Sequence, residues 1–285
     1  MDKIDLHLHV SRVSVPKTDK MFVSSGEEML PHLKELGIKK AVLMSIGENV
    51  SFGSNSDNKE LCALYPDTYA WMCNLDPVDE DTIFERLSKY KREGAIGVGE
   101  LSINQRIDSP FLSKIFSSAE KLGLPVTFHM SPEVGYSYGV VDDPGLPLLE
   151  EALNDYPSLK LLGHSQSFWI EMSGDAPAEK EKRNAWGQGE IVPGGRVPYL
   201  FEKYPNLYGD LSANSAGCAI MRDEEFGLAF LEKFQDKLFF ATDMVNVEME
   251  FPLGKWLDDK YASGELSKEA YEKICFKNAQ RVFGL

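Results

Sequence analysis

The run Ile4-Asp5-Leu6-His7-Leu8-His9 stands near the start of the chain and alternates apolar with polar residues. A period of two is typical of a strand with two different faces, so the two histidines are predicted to point the same way, with Asp5, and the three apolar residues the other way. Two imidazoles side by side on a buried strand need a partner for their lone pairs, and a divalent metal ion accepts imidazole nitrogen readily. A polar pair on a solvated sheet face is the alternative, and the other histidines decide between the two.

Strand-like and helix-like segments alternate along the rest of the chain. The predicted strands are 4–9, 40–46, 69–75, 96–101, 125–129, 159–164, 207–212 and 237–243. The predicted helices are 26–36, 58–64, 81–93, 110–122, 146–154, 197–203, 224–233, 252–262 and 267–283. Eight strands, each followed by a helix-like run, match a (β/α)8 TIM barrel, which typically needs about 250 residues.

No shift in composition marks a linker, so the pattern predicts one domain over residues 1–285. An open, doubly wound α/β sheet is the second choice. We disfavour it because no glycine-rich phosphate loop follows the first strand and because polar residues cluster at several strand ends.

Composition limits the partners and the compartment. The net charge of −15 argues against a nucleic-acid partner, which requires a basic face, but does not exclude an anionic small molecule. No apolar run approaches the roughly 18 residues of a membrane span, and no signal sequence follows Met1. The cysteines are scattered and predict reduced thiols in a cytoplasmic protein: Cys62, Cys73, Cys218 and Cys275. The sequence leaves open whether copies assemble into a homo-oligomer.

Four of the five histidines fall at predicted strand ends, together with two carboxylates. In a parallel barrel all carboxyl ends of the strands open onto one face, where active sites of this fold lie. Side chains from five strands would therefore meet around a metal ion. The predicted ligands are His7, His9, Glu100, His129, His164 and Asp243. His32 lies on a helix and is interpreted as structural. Taken singly, Glu100 could be salt-bridged and His164 a wall residue.

The strand-end motifs in order are His7-Leu8-His9, Gly99-Glu100, Phe128-His129, Gly163-His164 and Ala241-Thr242-Asp243. Gly194-Gly195-Arg196 and the segment 204–212 accompany them. This ordered set resembles the metal-dependent amidohydrolase superfamily, in its amidohydrolase-related branch. The resemblance spans the whole chain.

The resemblance implies that the strand-one histidines and Asp243 bind a divalent metal ion, usually zinc. It implies that His129 and His164 bind a second ion or contact the substrate. Many two-metal members bridge their ions with a carboxylated lysine on strand four, but no lysine lies between Lys91 and Lys114. Glu100 could bridge two ions instead, so the sequence leaves the choice between one ion and two open.

The expected chemistry is hydrolysis by a metal-activated water, with Asp243 and His164 as catalytic residues. Asp243 would take the proton from the water and pass it to the leaving group, while His164, if not a ligand, would polarise the carbonyl. Arginines in loops could hold a substrate carboxylate, although arginine is mostly an exposed surface residue. The candidates for substrate binding are Arg12, Arg106, Arg196, Arg222, Trp169 and Trp186. Either tryptophan could equally be buried against the barrel rim.

Hydrolysis of a small amide, ester or lactone is the leading functional prediction. Metal-dependent decarboxylation of an aromatic or unsaturated acid is the alternative within the same branch. Phosphodiester hydrolysis is disfavoured by the acidic charge. A metal-binding protein without activity is disfavoured by the complete ligand set. The substrate itself cannot be predicted, because loop residues select it.

Overall fold

Parallel strands alternating with helices make up the protein, whose computed structural model describes residues 2–18 and 22–285. Within these ranges the strands are β1 Lys3–Leu8, β2 Ile38–Met44, β3 Tyr69–Met72, β4 Val98–Leu101, β5 Val126–Ser131, β6 Val140–Val141, β7 Leu161–His164, β8 Leu207–Leu211 and β9 Leu238–Phe240. All eight predicted strands are confirmed, several of them shorter than predicted. The additional strand, β6, has two residues, too few to produce a pattern in the sequence.

The strands pair in parallel in nearly the order in which they follow along the chain. β1, β2 and β3 form one ladder, β4, β5, β7, β8 and β9 form another, and β6 pairs with β5. Backbone hydrogen bonds join the two ladders at both ends. The Cys73 N–H donates to Gly97 O at 3.0 Å, and the His9 N–H donates to Met244 O at 2.9 Å. Eight parallel strands joined in this order form the predicted (β/α)8 barrel.

Helices follow most of the strands. They are α1 Gly26–Glu35, α2 Asn55–Leu64, α3 Ile83–Arg92, α4 Pro110–Leu122, α5 Pro147–Asp155, α6 Gln166–Trp169, α7 Lys180–Arg183, α8 Arg196–Lys203, α9 Ala213–Met221, α10 Glu224–Lys233, α11 Pro252–Ser263, α12 Lys268–Glu272 and α13 Asn278–Phe283. A π-helical stretch, Lys273–Lys277, joins α12 to α13, and 3-10 turns lie at Glu80–Thr82 and Ile170–Met172.

A capping box explains where α1 begins, and helix propensity explains why α9 was not predicted. The Ser25 hydroxyl accepts from the Glu28 N–H, while the Glu28 carboxylate accepts from the Ser25 N–H, which is a capping box. Helix α9 was not predicted because Asn214 and Gly217 have low helix propensity. The two four-residue helices, α6 and α7, were not predicted either.

Apolar side chains form two clusters, one on each side of the strands. The larger cluster joins strands to helices and includes Leu33 of α1 and Ile115 of α4. The smaller one contains Ile4 of β1, Leu162 of β7 and Phe239 of β9. Because β1 and β7 are not neighbours in the sheet, their side chains meet only inside the barrel. The interior of the barrel around these three residues is therefore a packed core.

An irregularity in β1 changes the direction of its side chains. The register of β1 against β2 shifts between Asp5 and Leu8. Ile4 and Leu6 belong to the inner cluster, whereas Leu8 packs in the outer one. The prediction that the three apolar residues share a face was wrong, because a register irregularity interrupts the period of two.

The carboxyl ends of the eight barrel strands open onto one face, and the loops that follow them surround a pocket there. Asp243, predicted to end the eighth strand, lies three residues beyond Phe240, where β9 ends. Its φ of 60° places it in the left-handed region, which aspartate tolerates better than most residues. Among the described helices, none combines the length and apolarity needed to cross a membrane.

Candidate metal centre

The six side chains predicted as metal ligands converge at the carboxyl ends of the strands. They divide into two adjacent groups of three, each with ligand atoms within 4.8 Å of one another. The first group is His7, His9 and Asp243, and the second is Glu100, His129 and His164. Five separate strands or strand ends supply them, as the barrel topology requires.

The first group has the spacing of a tetrahedral metal site. The two imidazole nitrogens, His7 Nε2 and His9 Nε2, are 3.0 Å apart. Asp243 Oδ1 lies 3.4 Å from His7 Nε2 and 3.5 Å from His9 Nε2. Two ligands of a tetrahedral zinc ion, each about 2.0–2.1 Å from it, lie about 3.3 Å apart. The three atoms therefore fit around one divalent ion without rearrangement.

Glu100 links the first group to the second. Its Oε1 lies 2.9 Å from His129 Nδ1 and 3.5 Å from His164 Nε2. Its Oε2 lies 3.6 Å from His9 Nε2. One carboxylate thus faces both sets of imidazoles with different oxygens.

Asp210 completes the surroundings of His7. His7 Nδ1 donates to Asp210 Oδ2 at 2.6 Å, and both side chains are fully buried. This bond leaves the Nε2 lone pair directed at the cluster and fixes the ring, as carboxylates do behind metal-binding histidines. Sequence reasoning gave Asp210 no role. The available signal was its position at the end of the seventh strand.

Ser212 orients His164 in the same way. Ser212 Oγ is hydrogen-bonded to His164 Nδ1 at 2.7 Å. The other ring nitrogen, Nε2, then faces Glu100 and lies 3.5 Å from Asp243 Oδ2. Two predicted ligand histidines are therefore each held from behind by a β8 segment residue, and neither partner had been singled out from the sequence.

The charges of the cluster favour a cation. Burial by itself would lower the pKa of His7, but the carboxylates of Asp210 and Asp243 outweigh it and raise the pKa to about 10. Burial would raise the pKa of Glu100, yet His129 and the other imidazoles hold it well below its usual value. Burial and the nearby His7 lower the pKa of His164. The carboxylates thus stabilise positive charge within the cluster, which a bound divalent ion would supply in place of the His7 proton.

A pocket of 790 Å³ opens beside the cluster. His9, Glu100 and Asp243 line it, whereas the side chains of His7 and His164 are 0% and 1% exposed. The remaining lining residues are Lys17, Thr18, Phe22, Val23, Ile46, Phe52, Ser102, Tyr138, Val245, Asn246, Glu248 and Met249. A bound molecule would therefore meet three of the six cluster residues directly.

Tyr138 covers one side of the cluster. Its ring lies against the His129 imidazole with the centroids 4.2 Å apart. The residue is 61% exposed, but desolvation of the phenol against the cluster, together with Glu100 and Asp243, raises its pKa, so it stays protonated. The next residue, Gly139, has φ of 112°, and a Cβ there would lie 2.8 Å from His129 Cδ2. Only glycine allows this close approach.

The structure does not bring the three predicted substrate-binding residues to the pocket. Arg196 pairs with Glu150 and donates to Gly145 O at 2.6 Å. Arg106 pairs with Asp143 at 3.3 Å on the surface. Trp169 is 1% exposed, and its indole N–H donates to a backbone carbonyl of β8 at 3.2 Å. The two arginines have acidic partners nearby and the indole is buried, so none of the three side chains lines this pocket in the structure.

The other candidates also lie away from this pocket. Arg12 forms an exposed ion pair with an acid of α2. Arg222 donates to Gln188 O at 2.9 Å and, with Trp186, lines a separate cavity. His32 is 3.4 Å from the carbonyl of Met249, which agrees with its interpretation as a structural residue.

The comparison with protein-family models gives a match over nearly the whole chain. A model described as Amidohydrolase matches residues 4–285. That range includes every predicted ligand and both ends of the barrel. No curated protein matches the chain.

Solved structures with the same fold come from several bacteria. A 2,6-dihydroxybenzoate decarboxylase from Rhizobium is 17% identical with a TM-score of 0.63, covering 100% of this chain and 99% of its own. A probable 2-pyrone-4,6-dicarboxylic acid hydrolase from Acinetobacter baumannii, with citric acid bound, is 16% identical with a TM-score of 0.62, covering 100% of both. A dihydroxybenzoic acid decarboxylase from a Polaromonas species, with manganese and 2-nitroresorcinol bound, is 16% identical with a TM-score of 0.60, covering 100% and 97%. At these identities the likeness establishes the fold alone.

Proposed function

The chain belongs to the amidohydrolase family, and we propose that it is a metal-dependent hydrolase of a small amide, ester or lactone. The observation that supports this proposal is the pair of donor groups joined by Glu100 at the floor of an open pocket. The six residues would hold one or two divalent ions, and zinc is the ion we expect. A divalent ion in such a site lowers the pKa of a bound water to about 7 and polarises a carbonyl.

Asp243 is the proposed proton shuttle. Its side chain is 24% exposed and lines the pocket, while its two oxygens face different imidazoles, Oδ1 toward His9 and Oδ2 toward His164. It can therefore accept a proton from the attacking water and deliver it to the leaving group on the pocket side. Glu100 is 7% exposed and already engaged by His129, which suits a bridging carboxylate better than a proton carrier.

His164 is proposed as a ligand in the first instance. Its side chain is 1% exposed, and Ser212 holds the ring with Nε2 toward the cluster. With so little of the ring exposed, a direct contact with the substrate carbonyl is less favourable than a contact with an ion in the cluster. The polarising role considered from the sequence is thus the second choice for this residue.

Decarboxylation of an aromatic or unsaturated acid is the second candidate function. The rings of Phe22, Phe52 and Tyr138 in the pocket wall suit a planar substrate. Hydrolysis is preferred because Glu100 faces both donor groups, and divalent ions held there would supply an activated water and polarise the carbonyl.

The test begins with the metal. We expect elemental analysis to find one or two divalent ions per chain in the wild-type protein, fewer in His129→Gln, and an unchanged number in the matched control His32→Gln. Wild-type protein is then assayed for hydrolysis of aryl esters, anilides and lactones, and for carbon dioxide release from 2,6-dihydroxybenzoate. Hydrolysis that a chelator abolishes supports the proposal. Release of carbon dioxide alone selects the second candidate, and a metal-loaded protein inactive in both assays contradicts both.

A further inference from the structure

The charge of the pocket wall differs from that of a site built for an anion. Every arginine of the chain lies outside the pocket lining, and Lys17 is the one lysine among the lining residues that the structure describes. Arginine is the usual residue for gripping a carboxylate, because its planar fork donates two parallel hydrogen bonds. Its absence from the described wall leaves a single lysine for that task.

The positive charge of Lys17 is paired with a carboxylate of the pocket wall. Its Nζ lies 2.6 Å from Glu248 Oε2, and both residues line the pocket. The same ammonium lies 5.1 Å from the centre of the Phe22 ring. Both partners of the ion pair are more than half exposed, so the pair adds little stability. The ion pair nevertheless matters to a ligand, because the negative charge of Glu248 offsets the attraction of Lys17 for an anion.

The rest of the wall is largely apolar. Its apolar members are Phe22, Val23, Ile46, Phe52, Val245 and Met249. A carboxylate placed against these side chains loses hydration and receives no hydrogen bond from them, which is unfavourable. The polar members Thr18, Ser102, Tyr138 and Asn246 offer neutral groups only. The net charge of −15 opposes the approach of an anion as well.

We infer that this site takes an uncharged aromatic or unsaturated carbonyl compound, such as a neutral aryl ester or an unsaturated lactone, and discriminates against analogues that carry an additional carboxylate. The inference rests on the proposed function only for placing the reacting carbonyl at the cluster. The pocket wall provides the selectivity against the additional carboxylate. Glu248 forms an ion pair with Lys17, and the apolar lining residues disfavour a second anion.

Binding of two matched probes tests this selectivity without turnover. Benzohydroxamic acid and 4-carboxybenzohydroxamic acid share the same metal-binding head and differ by one ring carboxylate. Calorimetry on the zinc-loaded full chain is expected to show the carboxylated probe binding about tenfold more weakly or worse. Equal or tighter binding of the carboxylated probe overturns the inference, and so does binding of neither probe. Loss of hydrolysis with this discrimination intact would count against the proposed function alone.

A variant that frees Lys17 identifies the cause. In Glu248→Gln the lysine charge is released, so the carboxylated probe is expected to gain about tenfold in affinity while the neutral probe changes less than twofold. Glu250→Gln, on the same loop but outside this pocket, is the matched control and should change neither. A carboxylated probe that binds Glu248→Gln as weakly as wild type overturns the role given to the ion pair.

Discussion

Replacement of Asp210 by asparagine should weaken metal binding, although Asp210 is not one of the six proposed ligands. The carboxylate accepts from His7 Nδ1 at 2.6 Å with both side chains 0% exposed, so its charge acts on the ring without solvent screening. An amide oxygen could still accept this hydrogen bond and keep the tautomer, but the charge that makes Nε2 a stronger donor would be lost. Loss of such a partner typically lowers metal affinity about 10- to 100-fold, or about 1.4 to 2.8 kcal/mol.

The metal-free protein should also lose stability, because Asp210 is the buried partner of His7, whose pKa it helps to raise to about 10. The other carboxylate oxygen accepts from the Ser212 N–H at 3.1 Å, so an amide NH₂ there would lose about 1 kcal/mol of hydrogen bonding. The assay is competition for zinc between the metal-free protein and a chromophoric chelator, with thermal unfolding of the metal-free forms measured alongside. Asp142→Asn is the control, since this buried aspartate caps the start of α5 through the Leu148 and Leu149 amides, away from the cluster. Unchanged zinc affinity in Asp210→Asn would refute the role assigned to the charge.

Three further predictions follow from individual contacts. Asp243→Asn should keep most of the bound metal and lose about 10²- to 10⁴-fold in turnover, because the amide cannot carry a proton; retained activity in steady-state kinetics rules out the shuttle. Gly139→Ala should lower the free energy of unfolding by about 2 to 3 kcal/mol, since its φ is 112° and the new Cβ would meet His129. The control Gly135→Ala, with φ of 83° and open space around it, should lower that free energy by only about 1 kcal/mol. Equal melting temperatures of the two variants would contradict the contact with His129. Burial raises the pKa of Asp142 from 3.8 to about 6 despite its backbone hydrogen bonds, so the folded state binds its proton more tightly than the unfolded state does. The stability of wild type relative to Asp142→Asn should therefore be greatest below pH 4 and fall by up to about 3 kcal/mol as the pH rises to 6, as denaturant titrations can show; a difference independent of pH would exclude this shift.

The ligand set could be predicted because its signals are local. Histidines are rare in this chain, and each of the four in the cluster follows an apolar run whose strand character is encoded in adjacent residues. Once eight such runs specify a barrel, topology alone brings their carboxyl ends together. The placement of His129 and His164 beside Glu100 required no knowledge of individual contacts.

Pairwise contacts between distant segments were beyond the same reasoning. Arg196 was predicted to bind substrate. The sequence gives no sign that Glu150, on another helix, forms an ion pair with it. Trp169 was placed from its loop, yet its indole is buried against β8. The register irregularity in β1 could not be predicted from the alternation of its residues, because register depends on how β1 pairs with β2.

Local patterns along the chain specify a barrel of eight parallel strands and the residue types at the carboxyl ends of those strands, since strand periodicity depends on near neighbours in the chain. The contacts of Asp210 and Ser212 with the histidines, of Tyr138 with His129, and of Glu248 with Lys17 became known from the folded structure. Those contacts depend on register and loop path, which fix side-chain positions to within a few tenths of an ångström. A one-dimensional pattern does not carry that information.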